Sequence, residues 1–371
     1  MNRSSRFRWS VILIPFSWLY GLVIWIRNTL YDNNLIKASG FSIPTISVGN
    51  ITVGGTGKTP HVEYLVELIK DQYPVAILSR GYMRKSRDFR IVSENSTSRE
   101  VGDEPLQLKN RFPDVTVAVD RNRVNGVREL MKPDPRMELI VLDDAYQHRS
   151  IRIGYSILLI DFRRPVFSDC LLPAGRLREP AINRHRAQMI LVTRSPRDLK
   201  PIEMREFVNR MSLGIGQHLF FTTMHYEGLV PVFPGTEPKR LESVKDHAGG
   251  ILIVSGIANP GTLYEFAKEI SEQVEEIRLG DHHRYTAKDV KRIQAKLEGM
   301  GGSHSKVLIL TTEKDAVKLR EMEMPESIRN ALYAVRIRVQ FLNNDQEKFE
   351  KQIISYVASN KRSSILYKGE D

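Results

Sequence analysis

The segment Gly49-Asn50-Ile51-Thr52-Val53-Gly54-Gly55-Thr56-Gly57-Lys58-Thr59 constrains this chain more than any other. A strand-like apolar pattern, Ile43–Val48, runs into it. Lys58–Lys70 follows, with Val62, Leu65, Val66 and Ile69 on one helical face. Glycine at 54, 55 and 57 lets the backbone come close to a ligand and turn several N–H groups inward. The helix that follows presents its positive N-terminal end to an anion. A turn of this kind cradles the phosphates of a nucleoside triphosphate. Its candidate contacts are Thr52, Val53, Gly54, Gly55, Thr56, Gly57, Lys58 and Thr59, with the Lys58 ammonium neutralising phosphate charge and the Thr59 hydroxyl ligating Mg²⁺. Thr52 stands where the general pattern G-x-x-x-x-G-K-[ST] has glycine, but the strand before the loop and the helix after it supply the expected context.

A second feature belongs with the first. Leu139-Ile140-Val141-Leu142 reads as a buried parallel strand, and Asp143 and Asp144 stand at its carboxyl end. Open α/β sheets place ligands at that edge, and a phosphate-loop enzyme draws a Mg²⁺ carboxylate from there. Further strand patterns at Val75–Leu78, Val115–Val119, Ile157–Ile160 and Met189–Thr193 alternate with helical ones such as Arg121–Met131. The expected fold class is α/β, a P-loop NTPase-like domain with a mainly parallel sheet. A second series begins near Gly249, with strands at Ile251–Val254, Val307–Leu310 and Ala331–Val339, and predicts a smaller α/β domain. The proline-bearing stretch Tyr226–Gly250 reads as the connecting loop, with a hinge near Val230. The expected division is an N-terminal helix at 1–36, a kinase-like domain at 37–228 and a C-terminal α/β domain at 229–371.

From Trp9 to Ile26 there is no charged residue. A helix there would reach roughly 27 Å, slightly short of a hydrocarbon core of about 30 Å. Pro15 and Gly21 would bend or weaken it. Trp9, Trp18, Tyr20 and Trp25 suit a membrane interface, and Arg3, Arg6, Arg8 and Arg27 suit anionic headgroups. A cleaved signal peptide would need a small-x-small site, but Arg27-Asn28-Thr29 follows. A single span and a core helix of the soluble domain are the other readings. The preferred one is a shallow or partly inserted helix that holds the chain against a membrane.

Lysine and arginine number 55 against 44 acidic residues, a net charge of +11. A basic surface suits nucleic acid, anionic lipid or an acidic substrate. Nucleic acid ranks lowest, because no arginine-rich arm, zinc spacing or ribonucleoprotein motif accompanies the charge. The single cysteine, Cys170, excludes an intrachain disulfide and reads as a small buried residue. Asp103 reads as a helix N-cap. Asp281-His282-His283 could ligate metal, and Thr286 with Asp289 and Thr312 with Asp315 read as capping pairs. Arg80, Arg84, Lys85, Arg121, Arg123, Arg176 and Arg178 fall in loops after strands, where several together could grip an anionic acceptor. A metal-insertion GTPase would carry a guanine-specifying Asn-Lys-x-Asp motif, which the chain lacks. A structural membrane protein with a relic loop would be indifferent to Lys58→Ala.

Taken in order, these segments resemble the tetraacyldisaccharide 4'-kinase (lipid A 4'-kinase) family. The resemblance runs from Pro15-Phe16-Ser17-Trp18-Leu19-Tyr20-Gly21 and the Gly49–Pro60 loop to Ser79-Arg80-Gly81-Tyr82 and Gly102-Asp103-Glu104-Pro105. It continues through Asp143-Asp144 with Gln147-His148, Leu172–Pro180, Asp281-His282-His283 and Thr312-Glu313-Lys314-Asp315. The family's loop also has this form at position 52. The resemblance implies transfer of the γ-phosphoryl group of ATP to the 4'-hydroxyl of tetraacyldisaccharide 1-phosphate, giving lipid IVA, at the cytoplasmic face of the inner membrane. The implied partners are that acylated disaccharide and membrane lipid, with no obligate protein partner evident. It further implies that Asp103 handles the hydroxyl proton, that His282 pairs with it across a cleft, and that Lys58 serves catalysis. Thr59, Asp143 and Asp144 would organise Mg²⁺, Gln147 would support those carboxylates, and Arg123, Arg178 and Glu179 would line the site. Met83, where the family often has glycine, and Ala145-Tyr146 in place of Gly-Phe are departures.

Overall fold

A computed structural model describes the backbone of residues 3–132, 136–245, 249–258, 260–301 and 307–367, and their side chains except at 3–11, 242, 245 and 361–367. The first half contains helix α1 (Arg3–Asp32), strand β1 (Thr45–Gly49), α2 (Lys58–Ile69), β2 (Val75–Ser79), β3 (Arg90–Ile91), α3 (Ser98–Val101) and α4 (Asp103–Arg111). Then come β4 (Thr116–Val119), α5 (Arg123–Met131), β5 (Leu139–Asp143), β6 (Tyr155–Asp161), β7 (Met189–Thr193), α6 (Pro201–Met211) and β8 (His218–Pro231). The second half holds β9 (Lys239–Arg240), α7 (Leu241–Lys245), β10 (Gly250–Ser255), α8 (Gly261–Ile270), β11 (Val274–Arg278) and α9 (Ala287–Gly299). It ends with β12 (Val307–Thr312), α10 (Glu313–Arg320), α11 (Glu326–Ala331), β13 (Leu332–Phe341) and α12 (Gln346–Tyr367).

The strands of both halves join one sheet in the order β11-β10-β12-β13-β8-β7-β6-β1-β5-β2-β4-β3, with β9 beside β8. Neighbours from β8 to β4 are parallel, as are those from β11 to β13. Strands β1, β2 and β5 are buried at every position, which is why Val75–Leu78 and Leu139–Leu142 carry no polar alternation. One face packs under α2, α4 and α12 through Val62, Leu65, Leu106, Ile353 and Val357. The other packs under α5 and α6 through Val127, Leu130, Met204 and Phe207.

Two expectations change here. Tyr226–Pro231 is not loop but the second part of β8, which pairs with β7 as far as Phe221 and then with β13 from Thr222 onward. The chain thus passes from one half to the other within a strand, whose backbone hydrogen bonds β13 satisfies despite the prolines downstream. In addition, α12 returns to the first half. Tyr356 donates to the Thr45 carbonyl at 3.2 Å, and Tyr64 of α2 donates to Glu350 at 2.7 Å.

Helix α1 runs unbroken through Pro15 and Gly21. Gly21 lets α1 approach Leu171 closely: a Cβ there would lie 2.8 Å from Leu171 Cδ1 and would push that side-chain end aside. The helix is not a core element: only 11% of its membrane-length apolar window is buried. Ser17, Gly21 and Asn28 face the protein, whereas Phe16, Trp18, Leu19, Leu22, Val23, Trp25 and Ile26 are exposed. The side chains of Arg3, Arg6, Arg8 and Trp9 lie outside the described residues. Cys170, expected to be buried, is exposed.

Candidate active site

Strand β1 delivers the chain to the sheet's carboxyl edge, and the glycine-rich segment turns there into α2. Gly54 and Gly57 take left-handed backbone, at φ 103° and 84°. Residues 51–53 are braced by a second segment: Val53 N–H donates to Arg176 O and Arg178 N–H to Ile51 O, each at 2.8 Å. Thr52, bridged to Leu177, needs no glycine because its φ is not positive. Asn50 Nδ2 donates to Thr56 Oγ1 at 2.9 Å, closing the loop on itself. Gln147, expected to support the carboxylates, donates instead to the Asn50 carbonyl at 2.7 Å and holds the loop's first residue.

Strand β5 ends at Asp143, and Asp144 follows with φ 48°. Ser79 Oγ donates to Asp143 Oδ2 at 2.8 Å. Burial first, then the charges of Glu104 and Asp144, push the Asp143 carboxyl up to about 7. Burial also opposes ionisation of Asp144, but Lys58, Arg178 and Arg123 outweigh it and hold that carboxyl below its ordinary value. Lys58 Nζ and Arg178 Nη1 each lie 3.6 Å from an Asp144 oxygen. Asp143 Oδ1 and Asp144 Oδ1 are buried without a hydrogen-bond partner among the described residues, beside the helix that begins with Lys58 and Thr59. Two adjacent carboxylate oxygens left as acceptors at the end of a phosphate cradle fit a hard divalent cation such as Mg²⁺.

Arg123 and Glu179 differ from expectation. Arg123 is wholly buried and donates to the carbonyls of Asp120 and Asp143, so it props the strand end from beneath rather than facing an acceptor. Burial brings its guanidinium down to about 10. Glu179 is also wholly buried. It pairs with Arg186 at 2.9 Å and accepts from Asn183 at 2.7 Å and Asn28 at 3.3 Å. It therefore ties α1 to the segment that braces the loop. Tyr20 adds a bond to the Arg178 carbonyl at 2.8 Å, and Ser17 one to the Leu171 carbonyl at 3.0 Å.

Asp103 is the first residue of α4, and the cap position expected for it belongs to Gly102, at φ 96°. Its Oδ2 lies 3.0 Å from His282 Nδ1, 3.9 Å from Lys318 Nζ and 4.0 Å from Lys314 Nζ. Lys314 Nζ is 3.0 Å from His282 Nε2. An ammonium can only donate, so Nε2 accepts and Nδ1–H donates to Asp103, which assigns a neutral ring of one tautomer. Burial works against the Asp103 carboxylate, but the His282 hydrogen bond and the charges of Lys314 and Lys318 hold it below the usual range. Tyr82 packs at 5.1 Å on the His282 ring, and the adjoining Met83 has φ 61°, a conformation that explains why glycine suits this position. A cavity of about 210 Å³ opens beside the pair, lined by Tyr82, Met83, Arg99, Arg284 and Tyr285 among others.

The structure thus gathers Lys58, Asp143, Asp144 and Arg178 at one edge, and brings Asp103 against His282 across the junction of the halves. Sequence reasoning missed Lys314, Lys318 and Glu104. Thr312 does cap α10, accepting from Asp315 N–H at 3.0 Å, but Lys314 also reaches His282 and lies 3.6 Å from Glu104. The cluster of Glu313-Lys314 with Asp281-His282 was the available signal. His283 instead joins Asp289 at 3.1 Å beside the expected Thr286–Asp289 cap.

The comparisons agree with this geometry. Residues 9–358 match the family described as tetraacyldisaccharide-1-P 4'-kinase. The chain is 41% identical over 367 residues to the tetraacyldisaccharide 4'-kinase of Bacteroides thetaiotaomicron, covering 97% of this chain and 96% of that one. It is 43% identical over 355 residues to that of Phocaeicola vulgatus, covering 95% and 96%. The fold matches the crystal structure of "apo" form LpxK from Aquifex aeolicus in complex with ATP at a TM-score of 0.73 and 30% identity, over 94% of this chain and 99% of that one. With a phosphate cradle, a paired-aspartate strand end and nearly full-length similarity in hand, the chain belongs to the tetraacyldisaccharide-1-P 4'-kinase family.

Proposed function

We propose a division of labour for the reaction of this family, the ATP-dependent phosphorylation of tetraacyldisaccharide 1-phosphate at its 4'-hydroxyl in lipid A biosynthesis. Thr52–Thr59 holds the triphosphate of ATP, with Lys58 and Arg178 neutralising charge on the transferring group. Thr59, Asp143 and Asp144 would hold a Mg²⁺ ion, which would supply further neutralisation of phosphate charge. Asp103 accepts the proton of the 4'-hydroxyl as it attacks. A sugar hydroxyl is a weak nucleophile, and an ionised carboxylate beside it lowers the barrier. His282 and Lys314 orient that carboxylate from the second half, so the site is complete only when the two halves joined through β8 meet. Such closure excludes water and limits idle hydrolysis.

The observation that carries this reading is the Asp103–His282 contact at 3.0 Å. Its neighbour Glu104 is near enough to Asp143 to raise that carboxyl, which supports placing the pair beside the phosphate cradle. For localisation, the exposed apolar side of α1 supports a shallow seat in the cytoplasmic face of the inner membrane, with the acyl chains of the substrate left in lipid. The test is transfer of labelled phosphate from ATP to tetraacyldisaccharide 1-phosphate by wild-type and Asp103→Ala protein in lipid vesicles. Product from the wild type and little from the variant, at unchanged ATP affinity, is expected; equal turnover would remove Asp103 from its role.

A further inference from the structure

Helix α2 carries a residue whose chemistry points away from the cradle. His61 is buried, with Nδ1 2.7 Å from the Gly57 carbonyl oxygen and Nε2 3.0 Å from Thr222 Oγ1. A carbonyl only accepts, so Nδ1–H donates to Gly57, and Nε2 accepts from the Thr222 hydroxyl. The backbone bond from His61 N–H to the same carbonyl is long, at 3.4 Å. The imidazole therefore supplies the short hydrogen bond of the helix's first turn. The preceding carbonyl is held in the same manner, because Thr193 Oγ1 of β7 donates to Thr56 O at 2.9 Å.

These ties act on the cradle through the planarity of the peptide. In a trans peptide the C=O and the following N–H point in opposite directions. A bond that draws the Gly57 carbonyl outward thus aims the Lys58 N–H inward, and the Thr193 bond does the same for the Gly57 N–H. The far end of the His61 tie is no arbitrary anchor. Thr222 is where β8 stops pairing with β7 and starts pairing with β13, at Phe341. It is the point at which the sheet passes from one half to the other.

We propose that His61 is a positioning residue for phosphoryl transfer: it sets the orientation of the Gly57–Lys58 peptide and fastens the phosphate cradle to the strand that carries the chain into the second half. This rests on reading Thr52–Thr59 as the triphosphate site. Loss of the tie frees the peptide to rotate, so the N–H is no longer presented to phosphate before ATP arrives. The effect falls on ATP binding more than on the chemical step.

Two amides separate the ends of the imidazole. In His61→Asn the amide nitrogen replaces Nδ1 and keeps a donor for Gly57; in His61→Gln the amide replaces Nε2 and keeps only the Thr222 end. The expected result is an ATP KM within about threefold of wild type for His61→Asn, and about tenfold higher for His61→Gln with kcat changed less. Thr222→Val, which leaves the Gly57 bond in place, should raise the ATP KM about two- to threefold. Melting temperatures are measured for all three. Equal KM increases in the Asn and Gln variants, or lower melting temperatures with wild-type KM, would overturn the proposal and make His61 a core residue only. If His61→Gln does not fold, an unchanged KM in Thr222→Val overturns it equally. Lys58→Ala separates the underlying reading: if that variant binds ATP as wild type does, the cradle assignment itself fails.

Discussion

The proposed nucleotide side of the site and the proposed acceptor side are built by different means. Around Gly49–Thr59 the geometry is made of backbone: left-handed glycines, carbonyls drawn outward, and a bracing segment at 176–178. Around Asp103 it is made of charge: one buried carboxylate, one neutral imidazole and two ammonium groups, contributed by α4, the loop before α9, and α10. A backbone device tolerates changes of side chain except where a Cβ is added. A charge device tolerates changes of shape but not loss of a charge. Mutations on the two sides should therefore fail differently, the first in ATP binding and the second in turnover.

The largest effect expected is that of Asp103→Ala. Turnover should fall by roughly 10²–10⁴-fold, the usual reach of a general base, with ATP KM within about threefold. A loss confined to ATP KM would erase the distinction. Next is Gly57→Ala. The added Cβ would lie 2.1 Å from Met224 Cε on a backbone at φ 84°. With strain of about 1–3 kcal/mol, titration calorimetry should show ATP affinity reduced about tenfold or more. Met224→Ala in the same chain should recover only part of it, because the φ penalty remains. Lys314→Met removes one charge from the acceptor side and should lower kcat about tenfold, leaving ATP KM unchanged. An effect on ATP KM as large as that on kcat would mean the two sides are not separable.

The last effect is on stability and probes the ground between the sides. Glu63 of α2 accepts from Gln107 of α4 at 2.9 Å, and burial, then the charge of Glu313, raises its carboxyl to about 8. In the unfolded chain it would lose its proton near pH 4.5, while the folded chain keeps it until about 8. Its contribution is thus fully present below pH 4.5 and declines as pH rises toward 8. The slope is at most about 1.4 kcal/mol per pH unit. Denaturant melts of Glu63→Gln between pH 5 and 9 should show a shallower decline than wild type; parallel curves would remove Glu63 as the titrating group.

The same contrast explains what was legible in the sequence. The cradle and the strand ending in Asp143 are local: strand, turn and helix signals lie within a few residues of each other, and general patterns describe them. The acceptor side is not local. Asp103 meets His282 across 179 positions, and apart from its place in the Thr312–Asp315 motif Lys314 reads as a solvated lysine in a capping turn. Resemblance to a family supplied Asp103 and His282 but not their lysine partners. Arg123 and Glu179 were legible as charges, yet charge does not show burial, and both are enclosed by backbone carbonyls or amides. The strand at Tyr226–Pro231 was hidden for a related reason: its prolines and glycines suggested a loop, and its pairing partner lies a hundred residues downstream.

The return of α12 to the first half has a consequence for how the enzyme is made. Phe349, Ile353 and Val357 cover the sheet face that also seats α2 and α4. A ribosome makes α1 well before those residues. During synthesis the exposed apolar side of α1 is therefore present while that sheet face still lacks its final cover, so the kinase fold cannot close until α12 has emerged.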